Sequence, residues 1–144
     1  MKMKRIALIQ CASKKKSCKA KASELYTSTL FLYARKYIEK IHPDKWFILS
    51  AKHGLLCPDT VIEPYNVTLN KMRAGERTEW ARKVVKELAQ HANLHKDHFI
   101  ILAGTKYREH LLQYLHSHEI PMANLPIGKQ LKFLKKNCSD FLEI

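Results

Sequence analysis

Acidic residues are scarce in this chain, and no part of it is apolar for long. There are 13 Asp and Glu against 26 Lys and Arg, a formal net charge of +13 with the histidines neutral. An excess of that size on a small body points to a polyanionic partner, with nucleic acid the first reading. No apolar run approaches the roughly 20 residues that a membrane helix requires. The basic N-terminus is not followed by a signal-peptide core of about 7–15 apolar residues, so a cytoplasmic protein is expected. The four cysteines, Cys11, Cys18, Cys57 and Cys138, form no CxxC pair. That spacing argues against structural zinc and for reduced thiols. Also missing are the GxxxxGK[ST] phosphate cradle and the GxGxxG fingerprint, which removes support for nucleoside triphosphates and dinucleotides. There is no GxSxG elbow and no HExxH helix.

What is present suffices for one domain, taken as 1–144, with 46% hydrophobic and 27% charged residues and no repeat or linker. Lys4 to Gln10 (KRIALIQ) reads as a strand buried on both faces, followed by a Lys-rich loop from Cys11 to Lys21. A helix is expected from Thr27 or Ser28, stopped by His42-Pro43, with Leu30, Ala34, Tyr37, Ile38 and Ile41 at helical spacing. Trp46 to Ala51 is a second buried strand, and an irregular segment with Pro58 and Pro64 runs to about Asn70. Arg77 to Ala92 is the clearest amphipathic helix. Phe99 to Ala103 is a third buried strand, leading into a helix bearing Tyr107, Leu111, Leu112 and Leu115. A fourth, weaker strand is read near Ile120 to Ala123, and a final helix from Ile127 to Lys136. Alternating strands and helices of this kind predict an α/β fold, a three-layer α/β/α sandwich around a short parallel sheet.

Ligands of open parallel sheets bind beyond the carboxyl ends of the strands. That rule selects Gln10, Cys11, Ser13 and Lys14 after the first strand, Ser50, Lys52, His53 and Gly54 after the second, and Gly104, Thr105, Tyr107 and Arg108 after the third. Lysines and hydroxyls dominate there, which suits phosphate contacts. Any one lysine is ordinarily a solvated charge. Eight basic and no acidic residues between Met1 and Lys21 make a stronger case for Lys14, Lys15 and Lys16 together. His53 has the chemistry to exchange a proton near neutrality, or else braces the strand-end turn. A desolvated Lys52 would be an amine nucleophile, although most lysines are solvated. Glu63, Tyr65 and Asn66 place a carboxylate, a ring and an amide on one proline-stiffened segment, with Asp59 a further acid nearby. The ring can stack on a base or pack under the loop. Ser28 or Thr27 is expected to cap the first helix, and a free hydroxyl at that helix end can also bind phosphate. Lys129, Lys132, Lys135 and Lys136 form either a solvated helix face or a track for a nucleic-acid backbone.

Several of these residues fall into one pattern: Cys11-x-Ser13-Lys14, Leu25-Tyr26-x-Ser28-x-x-Phe31, the SAKHGLL segment from Ser50 to Leu56, Pro64-Tyr65, Leu102-Ala103-Gly104-x-x-Tyr107-Arg108 and Pro126-Ile127-Gly128-x-Gln130-Leu131. The pattern spans nearly the whole chain and resembles a bacterial and phage family of small domains. That family is related to the uracil-DNA glycosylase fold and to the catalytic domain of archaeosine synthase, and includes an antiphage enzyme that removes glucosylated hydroxymethylcytosine from phage DNA. The resemblance implies a monofunctional DNA N-glycosylase that leaves an abasic site. Its members often carry Asp after Pro-Tyr, where this chain has Asn66.

The expected site therefore has Asn66, Glu63 or Asp59 near the sugar and His53, Ser50 or Lys52 near the departing base. Gln10, Cys11, Ser13, Tyr26, Ser28, Gly54, Tyr65, Gly104 and Tyr107 surround the nucleotide, and Lys14, Lys15, Lys16, Arg108, Lys129 and Lys132 hold the DNA backbone. The expected partner is double-stranded DNA with modified bases, met by a monomer and requiring no membrane, metal or cofactor. A base-modifying enzyme acting on tRNA, a hydrolase of free nucleosides or nucleotides, a DNA-binding module without catalysis, and a plain globular protein with a solvated lysine coat are the rival readings.

Overall fold

The computed structural model describes residues 3–138. The chain runs through β1 (Arg5–Gln10), β2 (Ala20–Lys21), α1 (Ala22–Leu25), α2 (Thr29–Ile41), β3 (Lys45–Ser50), β4 (Gly54–Leu56) and β5 (Val61–Ile62). It continues through α3 (Ala74–Leu88), β6 (His98–Leu102), α4 (Thr105–Arg108), β7 (Ser117–Glu119) and α5 (Ile127–Cys138). One sheet has the order β4-β3-β1-β6-β7, parallel throughout except for β4, and β2 with β5 forms a separate antiparallel ribbon.

The central strands are apolar because both their faces are covered: Ile6, Ala7, Leu8 and Ile9 are fully buried. From β1 the chain crosses through α2 to β3 on one side, then through α3 to β6 on the other. Parallel crossovers are right-handed, so this reversal puts α2 and α3 on opposite faces of the sheet. Helix α5 packs along α2, and α4 touches α3. Each of the larger helices starts and stops for a local reason. Ser28 Oγ accepts the Phe31 N–H at 3.1 Å at the start of α2, as its sequence predicts. The left-handed His42 (φ 50°) ends that helix, just before Pro43.

Four expectations need correction. The sheet is not wholly parallel: Gly54–Leu56 turns back on β3 as an antiparallel edge strand. The last strand is Ser117–Glu119, not 120–123; Pro121 has no N–H to give a ladder, and residues 121–124 form a turn. Helix α3 is Ala74–Leu88, starting where Glu76 Oε1 accepts the Arg73 N–H at 3.0 Å. The helix after Gly104 is a single turn, α4, followed by a short 3-10 turn at Leu112–Tyr114.

Three acids serve the amino edge of the sheet. Asp97 accepts the N–H groups of Lys4 (3.0 Å) and Asn93 (2.8 Å), and Asp44 accepts that of Arg5 at 2.7 Å. Glu119 meets His98 Nε2 at 2.8 Å at the start of β6. These carboxylates serve as structural acceptors at the amino ends of the strands, and Glu87 does the same for the Leu55 N–H beyond β3.

Candidate functional site

The three central strands finish level, since Gln10 lies opposite Leu49 and Ile9 opposite Leu102. Strand order reverses between β1 and β6, and there a cavity of about 350 Å³ opens. The β1 end lines it with Gln10, Cys11, Ser13 and Lys14, and the β6 end with Ala103, Gly104 and Arg108. Ser28, Phe31 and Ala34 of the α2 region form another wall, with Met122 and Gln130 from the C-terminal segment. Among the described residues no Asp or Glu lines it.

Its polar groups are held by the protein in ways that leave hydrogen-bonding capacity over. Gln10 Oε1 accepts the Gly104 N–H at 2.7 Å, which ties the β1 and β6 ends together and leaves its NH₂ as a donor. Gln130 Nε2 donates to Leu125 O at 2.7 Å, leaving its carbonyl oxygen as an acceptor. One guanidinium nitrogen of Arg108 donates to Ala103 O at 2.7 Å, and the Ser28 hydroxyl hydrogen is not used by its cap. Lys14 is exposed at the rim.

A second, smaller cavity of about 70 Å³ lies on the other side of the Gln10–Ser13 segment. It is lined by Lys15, Asn66, Thr68, Asn70 and Tyr107. Its backing is a chain of hydroxyls: Tyr26 to Tyr65 at 2.6 Å, and Tyr65 to Ser50 at 2.8 Å. Lys15 Nζ sits 4.4 Å from the centre of the Tyr65 ring and donates to Ser13 O at 3.2 Å. Tyr107 OH accepts the Leu69 N–H at 3.3 Å, and the Cys11 thiol donates to it at 3.8 Å. Burial pushes the Tyr26 and Tyr107 phenols up to about 12 and that of Tyr65 upward as well, so the network is made of neutral hydroxyls. Burial also pulls Lys15 below the ordinary lysine range, against a smaller opposing effect from Cys11.

Of the three strand ends expected to converge, those of β1 and β6 share the large cavity. The β3 end is set back. Ser50 is fully buried and holds the turn, its Oγ accepting the His53 N–H at 3.0 Å and its carbonyl accepting Trp80 Nε1 at 2.8 Å. Gly54 lines neither cavity. Its φ is +78°, and an added Cβ would lie 2.6 Å from Glu87 Oε1, the acceptor of the Leu55 N–H. Glycine is required there by the backbone and by α3. Lys52, Asp59 and Glu63 are exposed and make no hydrogen bond or ion pair among the described residues. Lys16, Lys129 and Lys132 are exposed as a backbone-contacting role requires. Phe31, Ala34, Thr68, Asn70, Met122 and Gln130 were not expected at the site. Phe31 and Gln130 carried a sequence signal, as parts of the Leu-Tyr-x-Ser-x-x-Phe and Pro-Ile-Gly-x-Gln-Leu patterns.

His53 is edge-on to the Tyr65 ring at 5.4 Å, and its Nε2 is buried without a hydrogen-bond partner. Burial, then Lys52 and Lys83, lower its pKa below the usual 6.5, so the folded state favours the neutral ring. The unfolded chain binds this proton more readily. Stability should therefore be fully present above about 6.5 and fall as pH drops from there toward the lowered folded value. Denaturation curves of the native chain and H53Q across that interval should diverge, the native chain losing more on acidification; parallel curves would remove His53 as the cause.

An α/β chain with a basic, amide-lined cavity at its switch point is the class this geometry defines. The chain belongs to the family of unknown function DUF6884, whose model matches residues 6–136. It is similar to the uncharacterized protein YfjM of Bacillus subtilis (strain 168), with 29% identity over 130 residues and 81% of each chain covered. No solved structure matches it. No helix among the described residues is long and apolar enough to cross a membrane.

Proposed function

We propose that the protein is a DNA N-glycosylase with a uracil-DNA-glycosylase-like fold that excises a modified base, glucosylated hydroxymethylcytosine being the substrate the sequence resemblance implies. The observation that carries this reading is the cavity of about 350 Å³ at the switch point, where apolar walls carry the amides of Gln10 and Gln130 and the cations Lys14 and Arg108 and, among the described residues, no carboxylate, on a chain of net charge +13.

An extruded nucleotide would bring its base against Phe31, with the Gln10 NH₂ as donor and the Gln130 oxygen as acceptor for the base edges. The C1′–N bond breaks with its electron pair leaving on the base. Water oxygen bonds to C1′, and the proton it loses ends on the base. Gln10 and Arg108 are placed to stabilise charge that develops on the departing base. The sugar turns cationic as this happens, and the described lining of the cavity offers it no carboxylate. In DNA the flanking phosphodiesters supply negative charge, which a free nucleoside lacks. The reading therefore favours a polymer over a nucleoside. These roles pass from His53, Ser50 and Lys52, which lie off the cavity, to groups that line it.

Purified protein should produce alkali-labile breaks in DNA containing glucosylated hydroxymethylcytosine and none in unmodified DNA or tRNA. Retardation of all three without breaks would leave a binding module, and action on tRNA alone would favour an RNA base-modifying enzyme. DNA affinity should fall steeply with salt. Phosphate contacts by all of Lys14, Lys15, Lys16, Lys129 and Lys132 would give a log–log slope of about −4.5, at roughly 0.9 per contact on duplex DNA.

A further inference from the structure

The smaller cavity is given no task by the excision chemistry above, and its chemistry is one-sided. Among its lining residues are one cation, Lys15, and the short polar side chains of Ser13, Asn66, Thr68 and Asn70, with no Asp or Glu. The side-chain amides of Asn66 and Asn70 make no hydrogen bond among the described residues. Neither do the backbone N–H groups of Ala12, Ser13, Val67 and Thr68. Thr68 Oγ1 accepts the Asn70 N–H at 3.2 Å and its side chain also hydrogen-bonds Tyr107, which fixes it at the cavity wall. Successive unpaired N–H groups on a loop form a concavity suited to anions. At about 70 Å³ the space is too small for a nucleobase with its sugar and large enough for a tetrahedral oxyanion.

We infer that this second cavity is a phosphate site, built from the Ala12–Lys15 and Asn66–Asn70 segments. Under the excision reading, on which this assignment of its occupant rests, it takes the phosphodiester adjoining the extruded nucleotide. Only the Gln10–Ser13 segment separates the two cavities, so a base in one and its neighbouring phosphate in the other would clamp that segment from both sides. Lys15 supplies the charge, held in place by Ser13 O and the Tyr65 ring.

The test is a titration of the ¹⁵N-labelled full chain with inorganic phosphate, at constant ionic strength against chloride. Saturable shifts at the amides of Ala12, Ser13, Val67 and Thr68 are expected. N70D keeps the side-chain shape and puts a negative charge into the cavity, and should weaken phosphate binding by about tenfold or more. Asn70 is exposed, and an otherwise unchanged N70D spectrum would show that the fold is intact. Shifts that fail to saturate, that match those in chloride, or that persist unchanged in N70D would overturn the site. A second arm uses modified DNA with a methylphosphonate at the phosphate on either side of the target. Loss of binding at one of the two positions, with the native chain but not with N70D, assigns the diester as occupant. Equal binding at both positions, together with a saturable phosphate response, assigns free phosphate instead. If no modified DNA is cleaved at all, the excision reading fails while the phosphate titration still judges the cavity.

Discussion

Replacing Tyr26 by alanine should lower the free energy of unfolding by about 3–5 kcal/mol, the range for deleting a large buried aromatic. Tyr26 is 0% exposed, its ring packs on Phe31 at 5.0 Å between centroids, and its hydroxyl meets that of Tyr65 at 2.6 Å. The alanine variant would lose the ring's packing and leave a void beneath the segment that carries Tyr65. Phenylalanine at the same position should cost only about 1 kcal/mol, since Tyr65 keeps its bond to Ser50. Chemical denaturation of the two variants measures the difference. Equal losses would mean that the hydroxyl chain, and not the packing, holds this side of the site together. A typical domain has a total stability of about 5–15 kcal/mol, so Y26A should be substantially weakened at growth temperature.

The second large effect is expected on activity. Q10L should reduce the excision rate by about 100-fold or more, the usual cost of removing one preorganised donor from a site where charge develops. Its effect on stability should be near 1 kcal/mol, because the Gly104 N–H loses its acceptor. R82A serves as control: Arg82 is exposed on α3, paired with Glu79, and lines neither cavity. Single-turnover rates on modified DNA, read beside denaturation midpoints, separate a chemical loss from an unfolding one. A Q10L rate equal to that of R82A would remove the Gln10 amide from the chemistry.

The parts of this structure legible in the sequence are those in which burial dictates composition. Strands β1, β3 and β6 are covered on both faces and read as short apolar runs, and Ser28 reads as a cap because its hydroxyl meets a backbone donor three residues on. Strand β4 has three residues and the β2–β5 ribbon two per strand, too few to establish an alternation. Strand β7 is half-buried or exposed and polar, so the apolar residues after it drew the expected strand downstream.

The site divides in the same way. Gln10, Lys14, Gly104 and Arg108 follow from the rule that ligands meet the carboxyl ends of parallel strands, and the structure puts them around one cavity. His53 attracts attention in the sequence because imidazole titrates near neutrality, yet β4 folds its turn back against α3 and packs the ring on Tyr65. Gln130 reaches the cavity from α5, which lies along α2, and Met122 from the turn before it, a long-range packing that no local spacing encodes. Thr68 and Asn70 lie in an irregular segment with no periodicity to read.

The central claim is that a base leaves the DNA. Mass spectrometry of the small-molecule fraction after incubation with DNA carrying glucosylated hydroxymethylcytosine should detect the free modified base, in a 1:1 ratio with the aldehydes of newly formed abasic sites. Protein bound to that DNA with no base released, or sugar-modified nucleosides released in place of the base, would contradict it.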